Sequence, residues 1–414
     1  MNVLLLREVV AVLLAGGAGE RLYPLTRDRA KPAVPFGGPY RIVDFTLSNC
    51  INSGLRKIFI ATQYKAQSLN RHVRLGWNVV NHELGEFIEV LSPQKRMGEH
   101  WYLGTADAVW QNLHALDRER PRWVIVLSGD HIYKMDYGRM LDFHIGRGAR
   151  LTVAAIAVPL TESRRFGILE VQDDGRVVGF REKPDAASPT PGSPASCLGS
   201  MGVYIFDTDL LVRELQRDAE TDSTHDFGSD VIPRLVAAGE RVFAYLFWDE
   251  NKKEAQYWRD VGTIDAYFEA SMDLIQVEPV FNLYDPDWPL RTYQPQLPPA
   301  KFVFDEDGRR GVALDSSVSM GCIVSGSVVR RSILCPDVRI RSYCAIEDSI
   351  LLPGAVVHRH SRLRRTIVDR GVEIPQGALV GYDLAEDRRR HTVSEGGVVV
   401  VTPGEECLID PQFR

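Results

Sequence analysis

Six prolines, at positions 279, 286, 289, 295, 298 and 299, fall within residues 275–301. Neither a regular helix nor a central strand tolerates that density, because each proline removes a backbone donor and fixes φ. The 414-residue chain is therefore read as two folded units, 1–274 and 302–414, joined by a proline-rich linker at 275–301. Before the linker, Val- and Ile-rich runs alternate with helical patterns: VVAVLLA (9–15), KIFIATQ (57–63), RWVIVLSGD (122–130) and RLTVAAIAVPL (150–160). That alternation predicts an α/β unit around a mostly parallel sheet, with ligands beyond the carboxyl ends of the strands. After the linker, small or β-branched residues recur every five or six positions, at Val318, Ile323, Val328, Ile333 and Val338, then Ile350, Val356, Ile367, Val372 and Ala378. Turns of that length predict a left-handed parallel β-helix, the alternative being a β-sandwich of short strands.

Composition excludes several function classes. Lys and Arg number 49 against 55 Asp and Glu, a net charge of −6, so no global attraction draws the chain to nucleic acid or an anionic membrane. The six cysteines are scattered without a C-x-x-C pair, which argues against zinc ribbons and thioredoxin-like redox sites and for reduced thiols. His358-x-His360 completes no zinc pattern with them. The N-terminal MNVLLLREVVAVLLAGG lacks a basic start and is interrupted by Arg7-Glu8, so it reads as a first buried strand and not as a signal peptide. No run reaches the ~18 apolar residues of a membrane helix, and a cytoplasmic location is expected.

The strongest chemical signal is LLAGGAGERLYPLTRDRAKPAVPFGG (13–38), where a strand runs into Gly16-Gly17-Ala18-Gly19 and then into Arg21, Arg29 and Lys31. Glycines let backbone N–H groups approach a phosphate, and cations neutralise it. Two common phosphate loops fail: Glu20-Arg21-Leu22 stands where a Walker A loop has Gly-Lys-Ser/Thr, and Leu22 stands where a dinucleotide fingerprint needs glycine. Asp130, at the end of RWVIVLSGD, reads by itself either as a helix cap or as a ligand-facing carboxylate.

The pattern G-G-x-G-x-R-L, with Lys-Pro nine residues after the Leu, resembles the nucleotide-binding motif of sugar-1-phosphate nucleotidyltransferases. Further stretches are RAKPAVPFGGPYRIVDFTLSNCINSG (29–54), HWYLGTADAVWQN (100–112), SGDHIYKMDY (128–137), SMGVYIF (200–206), THDFG (224–228) and YWRDVGTIDAY (257–267). With WPLRTY (288–293) and PPAKFV (298–303), they make nearly the whole chain similar to the bacterial ADP-glucose pyrophosphorylases, or glucose-1-phosphate adenylyltransferases.

The resemblance implies a Rossmann-like nucleotidyltransferase domain followed by the β-helix. It also implies adenylyl transfer from ATP to α-glucose 1-phosphate, with Mg²⁺, in a homotetramer. It assigns Arg21, Lys31, Asp130 and Asp260 to the reacting phosphates, with both aspartates on the metal. Ala15, Gly16, Gly17, Gln63, Gly104, Thr105 and Gly129 fall to the nucleotide, and Tyr102, Gly167, Glu182, Lys183 and Ser200 to glucose 1-phosphate. The preference for ATP over another nucleoside triphosphate rests on the resemblance. The competing readings are a non-catalytic regulatory or scaffold subunit of the same fold and, from the β-helix, an acyltransferase.

The cluster HRHSRLRRTIVDR (358–370) reads as a solvated face until the resemblance adds an anionic metabolite effector bound between the two units. Arg29, Arg41, Arg362 and Arg364 are then its expected partners. Two departures stand out: Ala18 replaces a charged side chain common in relatives, and Asp28 replaces an activator-binding lysine of some enteric members, which argues against fructose 1,6-bisphosphate in that mode.

Overall fold

The computed structural model describes residues 3–93, 101–251 and 256–413. Its larger unit is built on nine strands: β1 (Val9–Leu14), β2 (Lys57–Ala61), β3 (Phe87–Leu91), β4 (Trp123–Ser128), β5 (Leu151–Pro159), β6 (Gly167–Val171), β7 (Val177–Glu182), β8 (Ser196–Asp207) and β9 (Val242–Leu246). Their order is β7-β6-β8-β4-β1-β2-β3, with β5 beside β8 and β9 beside β5. The strands β4, β1, β2 and β3 are parallel, whereas β8 runs antiparallel to β4, β5 and β6. The continuous apolar run of β1 follows from burial on both faces: Val9, Ala11 and Leu13 enter one core, and Val10 and Val12 the other.

The second unit is a left-handed parallel β-helix of three sheets. Ile333 pairs with Ile350 and Ile350 with Ile367, so one coil takes 17 residues. The chain turns one corner through Asp315, Arg331, Asp348 and Arg365, all left-handed with φ of 43–47°. Beside that corner, buried hydroxyls climb from coil to coil. Ser349 N donates to Ser332 Oγ at 3.0 Å, and Thr366 N donates to Ser349 Oγ at 3.3 Å. Ile367 pairs with Val400, a step of 33, because a short helix, Leu384–Arg390, is inserted in that coil.

The recurring apolar positions do not share one environment. Leu334, Leu351 and Val368 fill the β-helix interior, whereas Ile333, Ile350 and Ile367 point outward and join Phe36, Phe45, Tyr267 and Phe281 in a core shared with the first unit. Polar ties flank this apolar seam. Arg29 Nη2 lies 3.0 Å from Asp369 Oδ1, and Asp265 accepts from Ser394 Oγ at 2.5 Å and Gly396 N at 3.1 Å. Between Asp273 and Lys301 the described residues form neither helix nor strand. No helix among the described residues is long and apolar enough to cross a membrane.

Candidate functional site

β1, β2 and β4 end flush at the carboxyl edge of the sheet: Ala15 N donates to Ala61 O at 2.8 Å, and Gly129 N to Leu14 O at 3.0 Å. The glycine loop leaves β1 here. A Cβ on Gly17 would meet nothing within 4 Å, whereas one on Gly16 would lie 3.2 Å from Gln63 Cβ. Gly19 is left-handed (φ 66°), and a Cβ there would press on Lys31 Cβ at 3.0 Å. Glycine at that position therefore lets the loop close over Lys31.

Lys31 is the hub. Its Nζ lies 2.8 Å from both Asp130 Oδ2 and Asp260 Oδ1, with 8% of the side chain exposed. The two aspartates meet because His131–Tyr133 and Trp258–Asp260 pair as an antiparallel ribbon, with Asp260 opposite His131. Burial alone would raise the Asp130 carboxyl, but Lys31, His131 and the Ser128 hydroxyl hold it well below the usual carboxylate range. Burial likewise opposes the Lys31 charge, and Asp130 and Asp260 outweigh it, so the ammonium titrates above its ordinary value. Arg21 reaches Asp260 at 3.8 Å and is 73% exposed, a cation free to turn toward a ligand. Oxygens of Asp130 and Asp260 and a His131 nitrogen lie within 4.8 Å of one another, a donor set suited to a divalent cation.

On the sugar side, Glu182 ends β7 beside two glycines. Cβ atoms on Gly167 and Gly228 would fall 2.7 and 2.8 Å from Glu182 Oε2, so both glycines keep that carboxylate accessible. Lys183 follows in a left-handed conformation (φ 44°), 63% exposed, its Nζ 3.1 Å from Glu182 Oε1. The Ser200 hydroxyl accepts from Gly202 N at 3.3 Å where β8 breaks register between Ser200 and Tyr204.

On the nucleotide side, the Gln63 amide is already engaged. Its Oε1 accepts from Tyr102 N at 2.9 Å and its Nε2 donates to Tyr102 O at 3.4 Å, while the Tyr102 hydroxyl accepts from Asn112 at 2.8 Å. Thr105 Oγ1 donates to Asp226 Oδ2 at 2.7 Å and accepts from Phe227 N at 3.0 Å. A Cβ on Gly104 would run into the carbonyl oxygens of Thr224 and His225, so glycine lets these two loops touch. His100, at the head of the quoted stretch 100–112, lies outside the described residues.

A cavity of about 890 Å³ is walled by Ala15, Gly16, Gly17, Arg21, Lys31, Gln63, Tyr102, Gly104, Thr105, Asp130 and Glu182, whereas Gly129, Gly167, Lys183, Ser200 and Asp260 stand outside that wall. Tyr204, Asp226 and Phe227 also line it, and the sequence reading assigned none of them. Asp226 carried an available signal in THDFG, but its carboxylate also caps the following turn, accepting from Gly228 N and Ser229 N, which is how a lone Asp reads.

The four arginines expected at an effector do not converge. Arg41 lines a second cavity of about 690 Å³ with Arg27, Lys65, Arg71 and Arg370, opposed there by Asp28. Burial and the charges of Arg370, Arg29 and Arg71 pull the Arg41 guanidinium down to about 10 against the pull of Asp44. Arg29 instead pairs with Asp369. Arg362 and Arg364 stand on an exposed strand of another β-helix sheet, with Arg362 over the Tyr382 ring at 4.7 Å. Strand periodicity separates them: Arg370 lies at the corner after the sheet that faces the first unit, whereas Arg362 and Arg364 alternate with buried Leu363 and point outward.

Residues 10–277 match the nucleotidyl transferase family model, and residues 298–401 match the GlmU-like C-terminal hexapeptide model. The glucose-1-phosphate adenylyltransferase of Koribacter versatilis is 57% identical over 98% of this chain and 97% of its own length. Those of Rhodopirellula baltica and Paramagnetospirillum magneticum are each 54% identical, over 97% and 96% of this chain and 91% and 94% of their own lengths. With a lysine bridging two carboxylates below a glycine loop, and likeness running through both units and the linker, the chain belongs to the glucose-1-phosphate adenylyltransferase family.

Proposed function

We propose that this protein transfers the adenylyl group of ATP to α-D-glucose 1-phosphate, releasing pyrophosphate and giving ADP-glucose for glycogen or a related α-glucan. The observation that carries the reading is Lys31, held 2.8 Å from Asp130 and Asp260 at the floor of a cavity with a glycine-rich wall on one side and Glu182 on the other. A sugar phosphate oxygen attacks the α-phosphorus in line and pyrophosphate departs opposite, a step governed by positioning and charge neutralisation. Arg21 and Lys31 stabilise the triphosphate, and backbone N–H groups around Gly16 and Gly17 cradle it. Lys183 takes the sugar phosphate, and Glu182 accepts from sugar hydroxyls. Asp130 and Asp260 offer hard carboxylate oxygens that fit Mg²⁺, which when bound supplies neutralising charge at the phosphates. The test is pyrophosphate release with glucose 1-phosphate and Mg²⁺ against ATP, UTP and dTTP in parallel. Turnover with ATP alone is expected, and equal rates with UTP would overturn the base assignment.

The same proposal places an anionic metabolite effector in the cavity of Arg41 and Arg370, since several cations crowd there around Asp28. Sugar phosphates, AMP and inorganic phosphate are to be screened on the parent, then on Arg370→Ala and on the Arg362→Ala/Arg364→Ala double variant. Coupling of about 1–3 kcal/mol, a several-fold response, is expected to vanish in Arg370→Ala and survive in the double variant. The opposite pattern would move the effector to the outer face. A cytoplasmic homotetramer belongs to this reading, and light scattering checks the assembly.

A further inference from the structure

Helix α1 (Ile42–Asn52) is buried along most of its length, yet it is polar: Asp44, Thr46, Ser48 and Asn49 are each 0% exposed. Buried polar side chains persist only when bonded, so their partners show what the helix holds. One set grips the segment that carries Asp130. Thr46 Oγ1 donates to Ser128 O at 3.0 Å, Asn49 Nδ2 to Tyr133 O at 3.0 Å, and Ser53 Oγ, just past the helix, accepts from Tyr137 N at 2.8 Å. The other set grips the proline-rich linker. Thr292 Oγ1 donates to Asp44 Oδ2 at 2.6 Å, Arg291 N to Ser48 Oγ at 2.9 Å, and Asn52 Nδ2 to Pro289 O at 2.9 Å.

Asn49 belongs to both sets. Its Oδ1 accepts from Met135 N at 3.3 Å and from the Trp288 indole N–H at 2.9 Å while its Nδ2 holds Tyr133 O. Both lone pairs of that amide oxygen are thus committed, and the linker indole helps fix which way the amide faces. We propose that Asn49 and Thr46 are positioning residues for Asp130, and that Trp288 makes the linker a working part of the active site. The inference rests on the reading of Asp130 as a cation-holding carboxylate. Outer partners of that kind are commonly worth about 10–100-fold in metal affinity or activity.

The test uses Trp288→Phe, which keeps an aromatic ring and deletes the indole N–H, with Thr46→Val and its hydroxyl-restoring counterpart Thr46→Ser. Three measurements are made on the full chain: Mn²⁺ binding in the presence of ATP by electron paramagnetic resonance, steady-state kinetics for kcat and both KM values, and thermal unfolding for Tm. Trp288→Phe and Thr46→Val are expected to weaken Mn²⁺ binding and lower kcat by about tenfold. The KM for glucose 1-phosphate is expected to stay within about twofold, and Thr46→Ser to recover most of the loss. Unchanged Mn²⁺ binding in Trp288→Phe overturns the linker's role, and a loss in Thr46→Val that Thr46→Ser does not recover overturns the positioning role of the helix. Asp130→Asn separates the two levels. Retained Mn²⁺ affinity there sinks the cation-site reading itself, whereas lost affinity there beside intact affinity in Trp288→Phe sinks only the linker's role.

Discussion

At the scale of single residues, the two short contacts of Lys31 set the sign of the site's pH behaviour. The Asp130 pKa is depressed in the folded chain, so its charge and the stability that charge contributes are present above the unfolded value of about 3.9 and are lost only as pH falls below it. No Asp130 titration is expected in activity between about pH 5 and 9. Lys31→Met removes the cation and leaves the burial, so Asp130 should titrate upward. Residual kcat should then acquire an acid limb at higher pH, on top of a loss of about two decades or more. A variant whose profile keeps the parent's shape would refute this account. The meeting of Lys31, Asp130 and Asp260 was legible only through the motifs that carry the resemblance, since Asp130 by itself reads equally as a helix cap. Gln63 was legible as a position and not as a contact, since only the fold shows its amide spent on the Tyr102 backbone. Tyr204 reaches the cavity through a register break that has no sequence signature of its own, and the signal of Asp226 in THDFG is the one any turn-capping Asp gives.

Among the elements, the hydroxyl ladder of the β-helix invites a direct measurement. Ser349 is fully buried, donates to Glu347 O and accepts from Thr366 N, so Ser349→Ala leaves a buried amide unbonded and costs about 1–3 kcal/mol. A lower urea midpoint with unchanged slope is the expected result. The contact between the loops at Gly104 and at Thr224-His225 gives a second prediction. Gly104→Ala forces them apart where Thr105 and Asp226 meet the cavity, raising the KM for ATP by about tenfold or more while Tm moves by a few degrees. The five-to-six-residue repeat disclosed the β-helix itself. It did not disclose its phase, because Ile333 and Leu334 are equally apolar neighbours and only the presence of the first unit decides that one points out and the other in.

For the whole molecule, Arg29 and Asp369 join the two units with side chains 12% and 5% exposed. Asp369→Asn strands the guanidinium in a site it cannot leave, a loss of about 3–5 kcal/mol. Calorimetry should show the parent's unfolding at lower temperature or divided in two, and an unaltered trace would mean that the apolar seam and the Asp265 ties hold the units together without this pair. Because a coil takes 17 residues, the β-helix accepts changes of length in whole units. Deleting residues 332–348 joins Arg331 to Ser349, corner to corner, and the neighbouring coil from Asp315 to Arg331 keeps the same corner with one residue fewer. Even the whole-unit deletion slides Asp369 past Arg29 by one strand spacing, about 4.8 Å. The β-helix is thus a screw whose thread would permit any number of turns, and the first unit is the gauge that stops it at this one.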